Sequence, residues 1–182
     1  MCSPAAHDGE SCHLLLMNDG RPPIRIQVHA VGRMKSGPEK TLADHYFDRL
    51  AKAGPAIGLE FEGVTEVPEG RAKNADERKR EEAARLAPLA AESILILLDE
   101  RGKNFTSRQL SERIGQWRDA GERRVVVAIG GPDGHPEELR SKADLCLSFG
   151  ALTWPHQLVR IMLAEQLYRV ATILSGHPYH RD

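Results

Sequence analysis

The end of the chain concentrates side chains that can do chemistry. His177, Tyr179, His180 and Arg181 place two imidazoles, a phenol and a guanidinium within one short segment that Pro178 stiffens. An imidazole can move a proton near neutral pH, a phenol can stack on a base, and a guanidinium can pair with a phosphate. Chain ends are also often frayed and without function. Composition alone therefore leaves both interpretations of this tail open.

Three other candidate segments each follow an apolar run that predicts a strand. They span residues 98–103, 130–134 and 149–156. Ligands of open α/β sheets bind at the carboxyl ends of the strands, so all three segments qualify as parts of one site. The glycines in them either let a backbone approach a ligand closely or serve ordinary turn geometry. Because neither a dinucleotide fingerprint nor a Walker A motif is present, we do not expect a nucleotide held mainly by its phosphates.

Hydrophobic periodicity predicts strands and helices in alternation behind these loops. The predicted strands span residues 24–31, 59–67, 93–98, 125–129 and 143–149. The predicted helices span residues 38–52, 74–90, 106–120, 136–142 and 155–174. The third and fourth strands are continuously apolar, which is typical of strands buried on both faces of a parallel sheet. We therefore predict a single α/β domain over residues 24–182 with a largely parallel central sheet.

The last predicted helix is apolar on more than one face. Arg160, Glu165, Gln166 and Arg169 interrupt the apolar residues, and Glu165 and Arg169 have the i,i+4 spacing of an ion pair. A helix that is apolar on nearly all sides must be buried on nearly all sides. In a domain of this size that predicts a second subunit against it, or else a central position within one chain.

Charge and composition exclude several classes of protein. The 182 residues carry 25 Lys and Arg against 26 Asp and Glu, a net charge of −1, which is unlike a uniformly basic nucleic-acid-binding body. A local basic segment, residues 71–80, is either a solvated helix face or a surface for RNA phosphates. No apolar run approaches the roughly 18 residues that span a bilayer. Cys2, Cys12 and Cys146 lack metal-ligand spacing, so no metal site is predicted.

Residues 1–23 differ in composition from the rest of the chain. They mix small, polar and proline residues and lack the features of a signal peptide. We predict a disordered N-terminal extension there. The cysteine usage, together with the lack of a targeting segment, predicts a cytoplasmic protein in a reducing compartment.

In combination, the motifs resemble those of the RlmH family. The matching motifs are Lys73-Asn74-Ala75-Asp76, Leu98-Asp99-x-x-Gly102-Lys103, Ile129-Gly130-Gly131-Pro132-Asp133-Gly134, Ala151-Leu152-Thr153-x-Pro155-His156, Leu158-Val159-Arg160, Ala164-Glu165-Gln166-Leu167-Tyr168-Arg169 and His177-Pro178-Tyr179-His180-Arg181. This family comprises SPOUT-class methyltransferases that methylate N3 of a pseudouridine in 23S ribosomal RNA of the assembled ribosome. The resemblance covers residues 24–182 and rests on several separate motifs in the same order.

The resemblance implies a fold, a cofactor and partners. The fold would be a mostly parallel sheet flanked by helices, with a C-terminal trefoil knot that no sequence pattern reveals. The cofactor would be S-adenosyl-L-methionine, and the enzyme would be a homodimer acting on large-subunit ribosomal RNA, with no membrane and no metal. Carried over by position, the cofactor-binding residues would be Leu98, Gly130, Phe149, Gly150, Ala151, Leu152, Thr153 and Trp154.

The chemistry of the tail makes it our candidate for the catalytic machinery. N3 of pseudouridine is an imide nitrogen that must lose its proton before or during methyl transfer, which calls for a base and for cationic groups. We assign Tyr179 to contact with the base, His180 to proton movement and Arg181 to phosphate or anion binding. His156 we interpret as a structural residue of the pocket. The family usually has Glu at the position of Asp133 and often Leu at that of Trp154, so any detailed role of these two residues stays open.

Two other functions are compatible with an α/β chain of this length. The main alternative is a non-catalytic RNA- or ribosome-binding module that uses the basic segment and the tail and holds no cofactor. A hydrolase or dehydrogenase ranks lower, because the sequence lacks a nucleophile elbow, a dinucleotide fingerprint and a metal-ligand cluster.

Overall fold

The computed structural model of the protein describes residues 20–180. Most of the predicted N-terminal extension lies outside the described residues, as do Cys2 and Cys12. The predicted catalytic residue Arg181 also lies outside them.

Strands and helices alternate as the periodicity predicts. The strands are β1 (Ile24–Val31), β2 (Leu59–Val67), β3 (Ile94–Asn104), β4 (Arg124–Ile129) and β5 (Leu145–Ser148). The helices are α1 (Pro38–Ala53), α2 (Ala75–Ala90), α3 (Ser107–Asp119), α4 (Glu137–Arg140) and α5 (His156–Leu174). A single 3-10 turn, Pro55–Ile57, links α1 to β2.

The five strands form one sheet in the order β2-β1-β4-β3-β5. Each of the four pairings between these strands is parallel, which confirms the predicted α/β class and parallel sheet. The continuously apolar β3 and β4 lie side by side inside the sheet, as their composition predicts. Alternate residues of β4 therefore face opposite sides, with Val125, Val127 and Ile129 in one core and Val126 and Ala128 in the other.

The larger core lies on the side of α1, α3 and α5. Its fully buried members include Ile24 and Ile26 of β1, Leu50 of α1, Ile114 of α3 and Leu167 of α5. The smaller core lies on the opposite face, where Leu86 of α2 covers the outward side chains of β3 and β4. Helix α5 packs against both α1 and α3 and is the central helix of its layer.

Strand β3 differs from the prediction, which ended the strand at residue 98 and placed a loop at 98–103. The strand continues to Asn104, but the ladder is interrupted, because Leu98 and Lys103 both pair with Leu147 of β5. Residues 99–102 therefore form a wide bulge at the carboxyl end of the regular sheet. Glycine is required at position 102, where a Cβ atom would lie 2.7 Å from the backbone of Cys146.

Helix ends follow local capping chemistry. Thr106 and Gln109 have the sequence spacing that predicts a capping box, with a Thr three residues before a Gln. Thr106 Oγ1 accepts from Gln109 N at 3.2 Å, and Gln109 Oε1 accepts from Thr106 N at 2.9 Å, which confirms it. Asn74 caps α2 by accepting a hydrogen bond from Asp76 N. Pro155 has an extended ψ of 139° and is the N-cap of α5, whereas the sequence predicted it as the first helical residue. None of the helices within residues 20–180 is long and apolar enough to cross a membrane.

Candidate functional site

A cleft of about 350 Å³ opens where β4, β3 and β5 end. Leu98 pairs with Ile129 on one side and with Leu147 on the other, so the three strand ends are aligned. The bulge of β3, the turn after β4 and the segment after β5 meet at this edge. The three segments that the sequence singled out as candidate site loops therefore line one cleft.

Seven of the eight residues predicted to bind the cofactor line this cleft: Leu98, Gly130, Phe149, Gly150, Leu152, Thr153 and Trp154. The eighth, Ala151, is exposed and does not contribute to the lining. Leu152 and Trp154 stay exposed at the mouth, with 68% and 37% of their surface accessible. The indole at position 154 thus occupies the cleft wall.

The cleft also contains charged residues outside the set of predicted cofactor-binding residues. Lys79 reaches it from α2, and Asp99, Glu100 and Arg101 reach it from the bulge of β3. His156, in the first turn of α5, is half-buried and lines the cleft as well. Residues 99–101 belong to the segment 98–103, which the sequence predicted as part of the site because it follows an apolar strand. Sequence reasoning missed Lys79 as a cleft residue, because a contact between α2 and the turn after β4 depends on the packing of distant segments.

Asp99 is the most enclosed charged group of the cleft, with only 4% of its side chain accessible. Its carboxylate accepts hydrogen bonds from the backbone N and the guanidinium of Arg101 at 2.9 to 3.1 Å, and Arg140 Nε lies 3.2 Å away. Burial alone would raise the pKa of Asp99. The hydrogen bonds from Arg101 outweigh that effect and leave the pKa below its ordinary value, so this carboxylate is ionised.

Arg78 and Asp133 connect α2 to the turn after β4. The guanidinium of Arg78 also donates to the backbone carbonyls of Ala72 and Lys73, and thereby orders the segment that precedes α2. The hydrogen bonds between the two side chains lower the pKa of Asp133 and raise that of Arg78. Asp133 thus has an arginine as its partner.

The basic segment 71–80 is divided between structural and exposed residues. Arg78 pairs with Asp133, and Lys79 pairs with Asp76 at 2.7 Å. Arg71, Lys73 and Arg80 are exposed. Two of the five basic residues therefore have acidic partners, and the other three are exposed to solvent.

The glycines after β4 are explained by packing as well as by turn geometry. Gly134 N donates to Gly131 O at 2.9 Å, and Gly134 has a φ of 76°. A Cβ atom on Gly131 would lie 2.8 Å from the carboxylate of Glu82 on α2, and one on Gly130 would lie 3.1 Å from the backbone of Gly134. The turn thus requires small residues even before a ligand is considered.

The described part of the predicted catalytic tail does not line the cleft of its own chain. The Tyr179 ring packs edge-on against Tyr168 at 4.9 Å, and its hydroxyl donates to Glu165 Oε1 at 3.2 Å. Burial, a hydrogen bond with Tyr46 and the charge of Glu165 raise the pKa of Tyr179 to about 12. His180 is half-buried and its N lies 3.4 Å from His177 O.

Comparison with known proteins identifies the family. A family model described as "Predicted SPOUT methyltransferase" matches residues 24–180, which include all five strands and the cleft. The chain belongs to the SPOUT methyltransferase family. This membership agrees with the observed parallel sheet and with the predicted enzyme class.

Curated relatives within the family match over most of their length. The chain is 66% identical over 159 residues to "Ribosomal RNA large subunit methyltransferase H" of Chelativorans sp., covering 87% of this chain and 92% of the relative. It is 67% identical over 159 residues to the protein of the same name from Mesorhizobium japonicum, covering 87% and 99%. A third relative of that name, from Brucella anthropi, is 60% identical over 160 residues, with 87% and 100% covered.

Within residues 20–180, no group of three or more His, Cys, Asp or Glu side chains is arranged to hold a metal ion. Cys146, which the sequence placed in an apolar strand, is a partly buried thiol packed against the smaller core.

Proposed function

We propose that the protein is a large-subunit ribosomal RNA methyltransferase that uses S-adenosyl-L-methionine and modifies N3 of a pseudouridine. The observation that carries this proposal is the single cleft that three consecutive strand ends form in a SPOUT methyltransferase. The names of the curated relatives support the RNA class, and the match to them covers 87% of this chain.

The cleft fits the proposed cofactor in size and in chemistry. A volume of about 350 Å³ lies in the range of small-molecule sites, which are mainly apolar with a few polar groups. Leu98, Phe149 and Leu152 supply apolar surface for an adenine ring, and the turn at 130–134 supplies backbone groups. When bound, the cofactor supplies an electrophilic methyl group. The residues of the chain then have to orient the acceptor nitrogen and exclude water.

Charge in the cleft suits a zwitterionic ligand that also bears a sulfonium. The carboxylates of Asp99, Glu100 and Asp133 and the cations of Lys79 and Arg101 all reach the lining. Asp99 is enclosed and ionised, and its carboxylate is already paired with Arg101 and Arg140. We assign it to holding the bulge of β3 and the Arg101 guanidinium in place at the cleft.

In this proposal, residues of the C-terminal tail remove the N3 proton of the pseudouridine. His180 would accept the proton directly or through water, and Arg181 would stabilise the uracil anion or bind phosphate. Tyr179, with its pKa raised to about 12, would act as a protonated hydrogen-bond donor or stacking group. Since Tyr179 and His180 do not line the cleft of their own chain, we propose that they complete the cleft of a second copy in a homodimer.

The surface beside α5 supports this dimer. An apolar groove of about 630 Å³ runs between α1, the start of α3 and α5 and includes Leu42, Ile161 and Met162. Leu42 and Leu158 keep 44% and 40% of their surface accessible, although both belong to otherwise well-packed helices. Covering such residues with a second copy would satisfy the apolar excess of α5. The exposed Arg71, Lys73 and Arg80 would then face RNA phosphates in the cytoplasm.

The decisive experiment incubates the purified protein and methyl-labelled S-adenosyl-L-methionine with ribosomes that lack the modification. We expect the label at N3 of one pseudouridine of the large-subunit RNA, and weaker transfer to naked RNA. Label in transfer RNA or in protein would overturn the substrate assignment. Calorimetry with the cofactor tests the remaining alternative, because a non-catalytic RNA-binding module would release no heat of binding.

A further inference from the structure

A second, smaller cavity, here called the chamber, lies behind the turn that lines the cleft. It shares Ile129, Gly130, Gly134 and Lys79 with the cleft, and its other walls come from β1, α2 and α4. Besides Lys79, three polar side chains from three separate segments line it: His29 of β1, Glu82 of α2 and His135 after the turn. The remaining lining residues include the apolar side chains of Val31, Leu86 and Leu139.

All three polar side chains are deeply buried, with exposed fractions of 2% for His29 and 6% each for Glu82 and His135. Four of their buried atoms have no hydrogen-bond partner in the described part of the chain: His29 Nδ1, His29 Nε2, Glu82 Oε2 and His135 Nε2. Buried polar atoms are nearly always satisfied by protein or by ordered water. A group of four such atoms around one chamber therefore points to a ligand within it.

The donor and acceptor pattern specifies what that ligand must be. His135 hydrogen-bonds to the backbone of Ala128, which assigns its proton to Nδ1 and leaves Nε2 as an acceptor. Burial lowers the pKa of His135 to about 4 and also lowers that of His29, so both rings are neutral. Glu82 Oε1 already accepts from Gly70 N at 2.8 Å, and its Oε2 is a further acceptor. A neutral His29 contributes one N–H donor and one acceptor.

A single water molecule can partner three of these four atoms, one of them a ring nitrogen of His29. It would donate its two hydrogens to His135 Nε2 and Glu82 Oε2 and accept one from His29, which gives the three hydrogen bonds typical of a buried water. The chamber has a volume of about 10 Å³, enough for one water and too small for an organic ligand. Asp99 and Arg140 also influence His135 from outside the chamber, and Lys79 at its edge is paired with Asp76.

We propose that one internal water bridges His29, Glu82 and His135 and thereby positions the turn 130–134 that lines the cleft. The water connects His29 of β1 and Glu82 of α2 to His135, which directly follows the turn. Because a Cβ on Gly131 would meet Glu82 at 2.8 Å, the turn and the Glu82 carboxylate are already in close contact. These three residues are positioning residues and do not contact the ligand of the cleft. Their effect on cofactor affinity rests on the proposed function, whereas the water itself does not.

The test begins with the cofactor-free protein. Water magnetic relaxation dispersion and water-to-imidazole cross-relaxation should detect one long-lived water beside the His135 ring, whose nitrogen shifts should show a neutral Nδ1–H tautomer. His135→Leu and His29→Leu should each lose this water. His135→Gln should retain it, because the amide oxygen of Gln can replace Nε2 as an acceptor. His45→Leu, at an exposed histidine of α1, is the matched control and should leave the water unchanged.

Cofactor affinity is the second measurement. We expect His135→Leu to weaken S-adenosyl-L-methionine binding by about tenfold, the scale of one buried hydrogen bond left unmade, and His135→Gln to restore it to within about threefold. A wild-type protein without the long-lived water would overturn the proposal, as would wild-type affinity in both leucine variants. If the wild type does not bind the cofactor at all, the proposed function fails, while the relaxation measurement still decides whether the water is present.

Discussion

The side chains of Arg78 and Asp133 form two hydrogen bonds, of 2.7 and 3.0 Å, across 55 positions of sequence. Arg78 lies in the first turn of α2, and Asp133 lies in the turn after β4 that lines the cleft. The pair therefore fixes the position of the first turn of α2 relative to the turn that lines the cleft. The two side chains remain 30% and 24% accessible, so the ion pair contributes little to the free energy of unfolding. Its main effect is to position the two segments.

We predict that Arg78→Met weakens S-adenosyl-L-methionine binding by about threefold, the scale of a partly exposed ion pair. Because the folded pKa of Asp133 is lowered, the pair is intact above the ordinary pKa of aspartate and is lost as the pH falls through the lowered value. Calorimetric titration from neutral to acidic pH measures both effects. Arg123→Met, at an exposed arginine before β4, is the control. Equal cofactor affinity in Arg78→Met and the control would contradict this role.

Gly102→Ala should damage the bulge of β3. The added Cβ would lie 2.7 Å from the backbone of Cys146, which cannot move without disturbing β5, so we expect a loss of about 1–3 kcal/mol of unfolding free energy. Gly37→Ala is the matched control, because its backbone is extended, with a φ of 165°, and the nearest neighbour is the flexible end of Glu39. Urea denaturation compares the two variants, and equal midpoints would show that the bulge tolerates a side chain.

Arg160→Met should destabilise the fold strongly. Arg160 is 5% exposed, pairs with Glu66, and donates to the carbonyls of Val31 and Gly32 at 3.0 and 2.6 Å. Removing the guanidinium leaves these acceptors without their charged donor, which costs about 3–5 kcal/mol in buried pairs. Chemical denaturation of Arg160→Met beside the exposed Arg123→Met measures the difference. A loss below about 1 kcal/mol would mean that water replaces the guanidinium without penalty.

Substitutions in the tail should separate chemistry from cofactor binding. We expect His180→Ala to lower methyl transfer to unmodified ribosomes by about a hundredfold, the scale of a lost general base. The affinity for the cofactor should not change, because His180 does not line the cleft of its own chain. Arg181→Ala should behave similarly. Full methylation by both variants, with unchanged cofactor affinity, would show that the tail assignment is wrong.

Tyr179→Phe tests the phenol separately from the ring. The variant keeps the edge-on packing against Tyr168 and loses the hydrogen bond to Glu165.

If the tail completes a second copy's cleft, mixing an inactive His180→Ala protein with an inactive cleft variant should restore part of the activity through mixed dimers. The absence of any restoration, with mixed dimers present by native mass spectrometry, would place the tail and the cleft chemistry in the same chain.

The sequence by itself determined the elements that depend on near neighbours. The continuous apolar runs of β3 and β4 predicted strands buried on both faces, and Thr106 and Gln109 predicted a capping box that is present. The order of strands and helices, combined with the general rule for parallel sheets, was enough to predict that three loops meet at one edge. The seven cleft-lining cofactor candidates lie in these loops, but the family resemblance named them. Local periodicity decides these features because adjacent residues share one backbone geometry.

The tertiary structure decided every contact between residues far apart in the chain. Residues 99–102 bulge because Leu98 and Lys103 share one partner on β5, and Lys79 reaches the cleft because α2 packs near the turn after β4. The chamber of His29, Glu82 and His135 joins three segments whose sequences carry no common pattern. Such sites arise from packing geometry and from the cost of burying unpaired polar atoms, which a linear pattern of residue types does not encode.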